Sequence, residues 1–264
     1  MESGMDAEAL ELLTEALRKT MGTASGSELD AALAELGWWE MLDEMPDIAI
    51  PLVFRLLGET GAHAPVLNDV VLRATGRPAG GTVPLPFAGG AWVRWERIDE
   101  AAETLDPELP LHRVAAGAPV PLDTGRVAVG WWLAGTARAM LALARQHALD
   151  RVQFGRKLST FQAIRHRLAE SLVAIEGAEA TLAAATPGLG CLLAKAAAGQ
   201  AALTAARHCQ QVLGGIGFTA EHDLPRHVRR TLVLDGLLGS SRELTRQAGA
   251  ALREKGSAPR LVSL

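Results

Sequence analysis

Apolar residues recur at helical spacing through the first quarter of the chain. AEALELLTEALRKT places them three and four apart, and SELDAALAELGWWEML starts at a capping-type serine, Ser27, ahead of Leu29, Leu33 and Leu36. The texture changes between about 75 and 123. TGRPAGGTVPLPFAGGAWVRWERID is rich in Gly, Pro and β-formers, which break helices and favour short strands. From Arg126 the chain becomes long, Ala-rich and helical, and breaks at RVQFGRK, ATPGLG and GGIGFTAEHDLP divide it into segments near 124–150, 157–185, 189–213 and 222–253. Four antiparallel helices are the simplest packing of such segments, with small seam residues such as Ala134, Gly135, Ala194 and Ala198 letting them approach closely. The pattern predicts a mainly α chain: an N-terminal helical region over 1–74, a short β-containing segment over 75–123, a C-terminal four-helix bundle over 124–254 and a loosely held tail over 255–264.

Composition narrows the function classes. With 264 residues the chain is long enough to bury a sizeable core, and 48% hydrophobic against 21% charged residues is a globular balance. A net charge of -4 lacks the positive excess that phosphate-backbone binding relies on, so nucleic acid is not an expected partner. The two cysteines, Cys191 and Cys209, form no disulfide framework or paired zinc spacing and read as small core residues. MESGMDAEAL has no apolar leader core, and no charge-free apolar run reaches the length of a membrane span, so a reducing cytoplasmic setting is expected. The histidines His147, His166, His208, His222 and His227 are scattered over the bundle without metal-ligand spacing and read as solvated or capping groups; no metal is expected.

Two clusters carry candidate chemistry. Arg151-Val152-Gln153-Phe154-Gly155-Arg156-Lys157 lies between two helices: a guanidinium offers forked donors to phosphate, a Phe ring can stack on a base, and Gly lets the backbone turn past a ligand. The bland alternative is a basic helix end followed by a turn. Gln210-Gln211-Val212-Leu213-Gly214-Gly215-Ile216-Gly217-Phe218 closes another helix. No strand precedes it and its spacing is not GxGxxG, which rejects a Rossmann site. Its glycines are either a plain helix stop or backbone donors to a ligand, with Gln211 supplying a donor and an acceptor. The run Arg226-His227-Val228-Arg229-Arg230 reads as a contact to CoA or FAD phosphates or, at least as readily, as a charged bundle face or a helix end meeting an acidic partner.

Taken together, Arg126…Arg151-x-Gln153-Phe154-Gly155…Phe161-Gln162…Gln211-x-x-Gly214-Gly215-x-Gly217-Phe218, followed by Glu221 and Arg229-Arg230, resemble the C-terminal half of acyl-CoA dehydrogenases over about 120–250. The resemblance implies that Arg151, Gln153, Phe154, Gln211, Gly214 and Gly215 contact the ADP half of FAD across a subunit interface. It also implies the family's reaction, in which a carboxylate removes the α-proton of an acyl-CoA and a hydride leaves its β-carbon for the flavin.

The chain departs from that pattern at the base. Counted without gaps, the family's catalytic Glu-Gly-Thr falls on Leu238-Gly239-Ser240, and its alternative base position, just before the arginine that opens the first bundle helix, falls on Gly125. Neither is a carboxylate. Asp235, one turn before Leu238, is the nearest substitute, against the alternative of an exposed or Arg-paired aspartate. In the shortened middle, Thr82, Trp92 and Trp95 are the possible remnants of a flavin-holding β-domain; sheet packing is the favoured role of the two tryptophans. The resemblance therefore implies a short subunit that works with a longer acyl-CoA dehydrogenase-like partner in an α2β2 heteromer, as in steroid and fatty-acid enzymes of actinobacterial type. The alternatives are a homo-oligomer using Asp235 and a noncatalytic structural subunit without flavin.

Overall fold

The computed structural model describes residues 7–98 and 104–257. Residues 99–103 of the middle segment and 258–264 of the expected tail lie outside the described residues. Five N-terminal helices, α1 (Ala7–Thr23), α2 (Gly26–Glu35), α3 (Trp38–Glu44), α4 (Pro46–Thr60) and α5 (Leu67–Ala74), precede three short strands, β1 (Pro84–Phe87), β2 (Ala91–Trp95) and β3 (Leu111–Arg113). The strands form an antiparallel meander in the order β1-β2-β3. Helix α6 (Asp123–Asp150) follows, then the hairpin β4 (Val152–Gln153) and β5 (Arg156–Lys157), α7 (Gln162–Ala183), α8 (Leu189–Leu213), α9 (Leu224–Gly236) and α10 (Ser241–Lys255). The expected mainly α architecture is the observed one.

Three local expectations are corrected. Helix α2 starts at Gly26, so Ser27 lies inside its first turn; Ser25, not Ser27, flanks the helix, and its Oγ accepts from His63 N at 3.1 Å. The second bundle helix starts at Gln162, because Arg156 and Lys157 are used in the β-hairpin. The fourth predicted helix is two helices, broken at Leu238 and Gly239, whose φ values of 59° and 101° leave the helical region. A capping box restarts the chain as α10: Ser240 Oγ accepts from Glu243 N while Glu243 accepts from Ser240 N.

Small residues set the centre of the molecule. Helix α6 packs against α4, α7 and α8. At its crossing with α4, Gly58 and Gly135 face backbone: a Cβ on Gly135 would stand 2.1 Å from Arg55 O, and one on Gly58 would stand 2.4 Å from Trp132 O. Ala134, Gly135, Ala194 and Ala198 are all buried, as their seam role requires. By length and apolarity alone α6 and α8 match a membrane span, but 61% and 56% of their most apolar stretches are buried inside the protein, as in core helices.

The short sheet is tied to this core by aromatic packing. Trp95 on β2 is fully buried and stacks on Trp132 of α6 at 5.4 Å, while Phe54 of α4 meets Trp132 and Trp38 edge-on. Packing is thus the role of Trp95, and Trp92 is half-buried on the same strand. Cys191 and Cys209 are buried free thiols, as expected, and burial pushes the Cys209 thiol up to about 12.

Candidate functional site

The parallel course of α6 and α8 decides where the two candidate clusters lie. At one end of the bundle the start of α6 meets the start of α8, where Asp123 Oδ2 accepts from Gly188 N at 2.7 Å. At the other end His147, near the C-terminus of α6, feels the charges of Arg151 and of His222, which follows α8; burial and these charges lower its pKa. The Arg151 turn and the Gly214 turn therefore leave the bundle at the same end.

The Arg151 turn is built to project its aromatic ring. Strands β4 and β5 pair Val152 with Lys157 and Gln153 with Arg156, which leaves Phe154-Gly155 as a two-residue connection with φ of 54° and 75°. Both positions of such a tight hairpin turn demand positive φ. Glycine accepts this freely, whereas a phenylalanine is strained there, and a strained bulky residue is a mark of a functional constraint. Phe154 is 90% exposed, edge-on to Phe161 at 6.2 Å, and Arg156 lies 4.2 Å over the Phe161 ring. With its amide turned to pair, Gln153 accepts from Arg151 Nη2 at 2.8 Å and Nε at 3.2 Å, which holds the exposed guanidinium in place.

At the second turn α8 stops at Gly214 (φ 63°), and a short 3-10 turn carries the chain to Phe218. Open space surrounds the Cβ positions of Gly214 and Gly215, and Gln211, Ile216 and Phe218 are exposed. This end thus presents a guanidinium, bare backbone and unburied aromatic rings. That donor set fits an adenine nucleotide with its diphosphate.

The opposite end holds the two positions where a base would stand. Gly125 and Leu238 face each other: a Cβ on Gly125 would meet Leu238 Cδ1 at 3.0 Å, Val71 Cγ2 at 3.1 Å and Leu67 Cδ1 at 3.8 Å. Leu238 is 1% exposed. Its N–H donates to Pro86 O at 2.9 Å and its carbonyl accepts from Arg126 Nε at 3.3 Å, so the positive-φ backbone is held from both sides. Leu237 bridges Phe87, and the Phe87 ring covers Gly236.

Asp235 is engaged elsewhere. Its Oδ1 accepts from Ser241 N at 3.1 Å, at the start of α10, and lies against Gly199 of α8, where a Cβ would stand 2.3 Å away. Leu238, not Asp235, meets Gly125. No arginine pairs with the Asp235 carboxylate among the described residues; its main-chain carbonyl is instead met by Lys195, a buried residue of α8 that sequence reasoning passed over inside an Ala-rich helix. Lys195 Nζ donates to Asp235 O at 2.7 Å and to Gly239 O at 2.5 Å, and so clamps both sides of the α9–α10 elbow.

Burial lowers the Lys195 amine to about 7 despite the favourable charge of Asp235. The unfolded chain then binds the proton more tightly between about pH 7 and the ordinary lysine value, so stability contributed at this residue rises with pH across that window. Relative to Lys195→Met, the wild-type chain is expected to gain roughly 2 kcal/mol from pH 7 to pH 9. Urea unfolding at the two pH values checks it; a parallel shift of both proteins would place the amine outside this balance.

Two arginines of the basic run turn toward acidic side chains of the same chain. Arg230 is buried and pairs with buried Asp106 and with Glu108 (2.9 Å), and Arg226 pairs with Glu108 at 2.8 Å. His227, expected to be solvated, is buried, and burial lowers it to about 4, so the ring is neutral at pH 7. His222 does cap, accepting from Leu224 N at 3.0 Å.

Comparison with known proteins fits this geometry to a family. The family model of the acyl-CoA dehydrogenase C-terminal domain matches residues 117–252, just over half of the chain. The chain belongs to the acyl-CoA dehydrogenase family. Acyl-CoA dehydrogenase IpdE2 of Mycobacterium tuberculosis is 35% identical over 170 residues, covering 60% of this chain and 53% of its own length. Acyl-CoA dehydrogenase FadE34 of the same organism is 35% identical over 219 residues, covering 74% of this chain and 30% of its own. The chain thus spans about half or less of the length of these acyl-CoA dehydrogenases. The fold is that of a Tcur3481-Tcur3483 steroid acyl-CoA dehydrogenase chain (TM-score 0.75, 18% identity, 95% of this chain and 99% of that one). It is equally that of a chain of the ChsE4-ChsE5 complex from Mycobacterium tuberculosis (TM-score 0.72, 18% identity, 97% of this chain and 99% of that one).

Proposed function

We propose that this chain is the short subunit of a flavin-dependent acyl-CoA dehydrogenase of steroid or fatty-acid breakdown, working in an α2β2 assembly with a longer acyl-CoA dehydrogenase-like subunit. The observation that carries the reading is the contrast between the two ends of the bundle. The nucleotide-facing turns are open, whereas both base positions, Gly125 and Leu238, are packed with hydrocarbon.

In this reading Arg151, oriented by Gln153, together with Phe154, Gln211 and the backbone of Gly214 and Gly215, would hold the ADP half of FAD. When bound, FAD supplies the acceptor for the hydride that leaves the β-carbon of the acyl group. The longer subunit supplies the base that takes the α-proton, since Leu238 has no lone pair to accept it and Asp235 is held on Ser241. The structural partners named for the steroid enzyme and for ChsE4-ChsE5 support assembly of two unlike chains.

The test is co-expression with a longer acyl-CoA dehydrogenase-type subunit, followed by sizing and flavin absorbance. The wild-type pair is expected to co-purify yellow, and Arg151→Met or Phe154→Ala in this chain to lower bound FAD at least tenfold, with Asp235→Asn leaving turnover intact. Full flavin content in both variants would overturn the cofactor assignment, and loss of turnover in Asp235→Asn would return the base to this chain.

A further inference from the structure

Where α4, α6 and α8 begin and α7 ends, a cleft of about 540 Å3 opens to solvent. Neither the nucleotide-facing turns nor the Gly125–Leu238 contact uses it. Helix α6 contributes Asp123, Thr124, Val127 and Trp131 to its lining, on the side of the helix turned away from Gly125. Ile50, Val127, Trp131 and Leu182 make its walls apolar; Ile50 and Leu182 are buried, and the Trp131 indole is half-buried. A concave apolar site of this size takes a small molecule rather than a length of chain.

The charged groups of the cleft have one sign. Asp47 and Asp123 line it, and no lysine, arginine or histidine among the described residues does. Asp47 is exposed and takes part in no ion pair among the described residues. Asp123 Oδ2 accepts from Gly188 N at 2.7 Å, and the nearest cation, Arg126, stands 3.8 Å from Oδ1 with its Nε given to Leu238 O. Both aspartates lie in first turns of helices, where the helix end carries about half a positive charge. Half a charge leaves each carboxylate partly uncompensated. The Cys191 thiol in the same wall is held above its usual range by burial and by the Asp123 charge, so it is a neutral wall group and not a nucleophile.

An apolar cleft with an indole in its wall and two carboxylates in its lining selects a cation that carries a hydrocarbon body. The cation gains charge-assisted hydrogen bonds and the ring face, and the hydrocarbon covers the walls. Phosphates and carboxylates meet the wrong sign. We propose that this cleft binds an alkyl- or arylammonium ligand, its ammonium held by Asp47 and Asp123 and its hydrocarbon lying against Ile50, Val127, Trp131 and Leu182. The site does not depend on the flavin reading, because none of its lining residues belongs to the nucleotide-facing turns or to the two base positions.

The experiment titrates the purified full-length chain by calorimetry at pH 7 with 2-phenylethylammonium, and in parallel with 2-phenylethanol, phenylacetate and ethylammonium, which change the head or remove the body. The arylammonium is expected to bind at least tenfold more tightly than the alcohol, and the anion and the bare ammonium not to bind. Asp47→Lys should weaken the arylammonium at least tenfold and leave the alcohol unchanged, and Trp131→Ala should weaken both. Asp47 is exposed, and far-UV dichroism with thermal midpoints identifies any variant that misfolds; Asp47→Asn, which keeps the shape and removes the charge, should lose at least threefold. No heat from the arylammonium at millimolar concentration, equal binding of the alcohol, or affinity indifferent to both Asp47 variants in folded protein would overturn the proposal. Flavin content of the assembled pair is a separate readout, so either assignment can fail without the other.

Discussion

Arg230→Met is expected to cost about 3–5 kcal/mol of folding stability, because it strands a carboxylate that has no access to water. The Arg230 and Asp106 side chains are 2% and 1% exposed. The guanidinium also donates to Gly61 O (3.2 Å), Ala62 O (3.3 Å) and Glu108 (2.9 Å), so one side chain joins α9 to the end of α4 and to the segment ahead of β3. Removing the cation leaves the Asp106 carboxylate buried without its partner or pulls the segment open, and both routes destabilise the fold. Urea denaturation measures the loss, and Arg230→Met combined with Asp106→Leu should lose less than Arg230→Met alone, since no buried charge is then left unpaired. A single variant within 1 kcal/mol of wild type would show that water reaches the pair.

Gly135→Ala is the second large effect, at about 3 kcal/mol or more, from a change of one methyl group. The added carbon would fall 2.1 Å from Arg55 O, and backbone in the middle of a helix cannot rotate away as a side chain does. Helices α4 and α6 must separate, and the loosened contact includes Phe54 against Trp132. Gly58→Ala acts on the same crossing, so the double variant should cost clearly less than the sum of the singles. Thermal unfolding of the three proteins checks both statements, and strict additivity would mean that the two glycines relax independently.

How far the sequence revealed this arrangement differs from one part to another. Long helices with small seam residues were legible because one period runs through twenty or more positions, as in α6 and α8. The Arg151 and Gly214 turns were legible because glycines interrupt those periods. The α9–α10 break was overlooked because Leu237 and Leu238 continue an apolar pattern, although Gly236, Gly239 and the Ser240–Glu243 capping pattern mark it; contacts with Pro86 and Arg126, distant in sequence, hold Leu238 in its positive-φ conformation. Lys195 was missed for the same reason, since a single lysine among alanines gives no sign that it is buried until the carbonyls it serves are known. The basic run on α9 showed its charge but not its direction, because Asp106 and Glu108, which turn Arg226 and Arg230 inward, lie over a hundred residues earlier.

The hydrocarbon between Gly125 and Leu238 makes the absence of a carboxylate hard to reverse. A glutamate placed at 238 alone would replace a buried leucine that meets Gly125 close to Val71 and Leu67, and burial among hydrocarbon works against a charged carboxylate. Room for a solvated carboxylate there would require the neighbouring Leu67 and Val71 side chains to give way as well. On the reading proposed above, a single substitution in this chain would not restore the missing carboxylate chemistry.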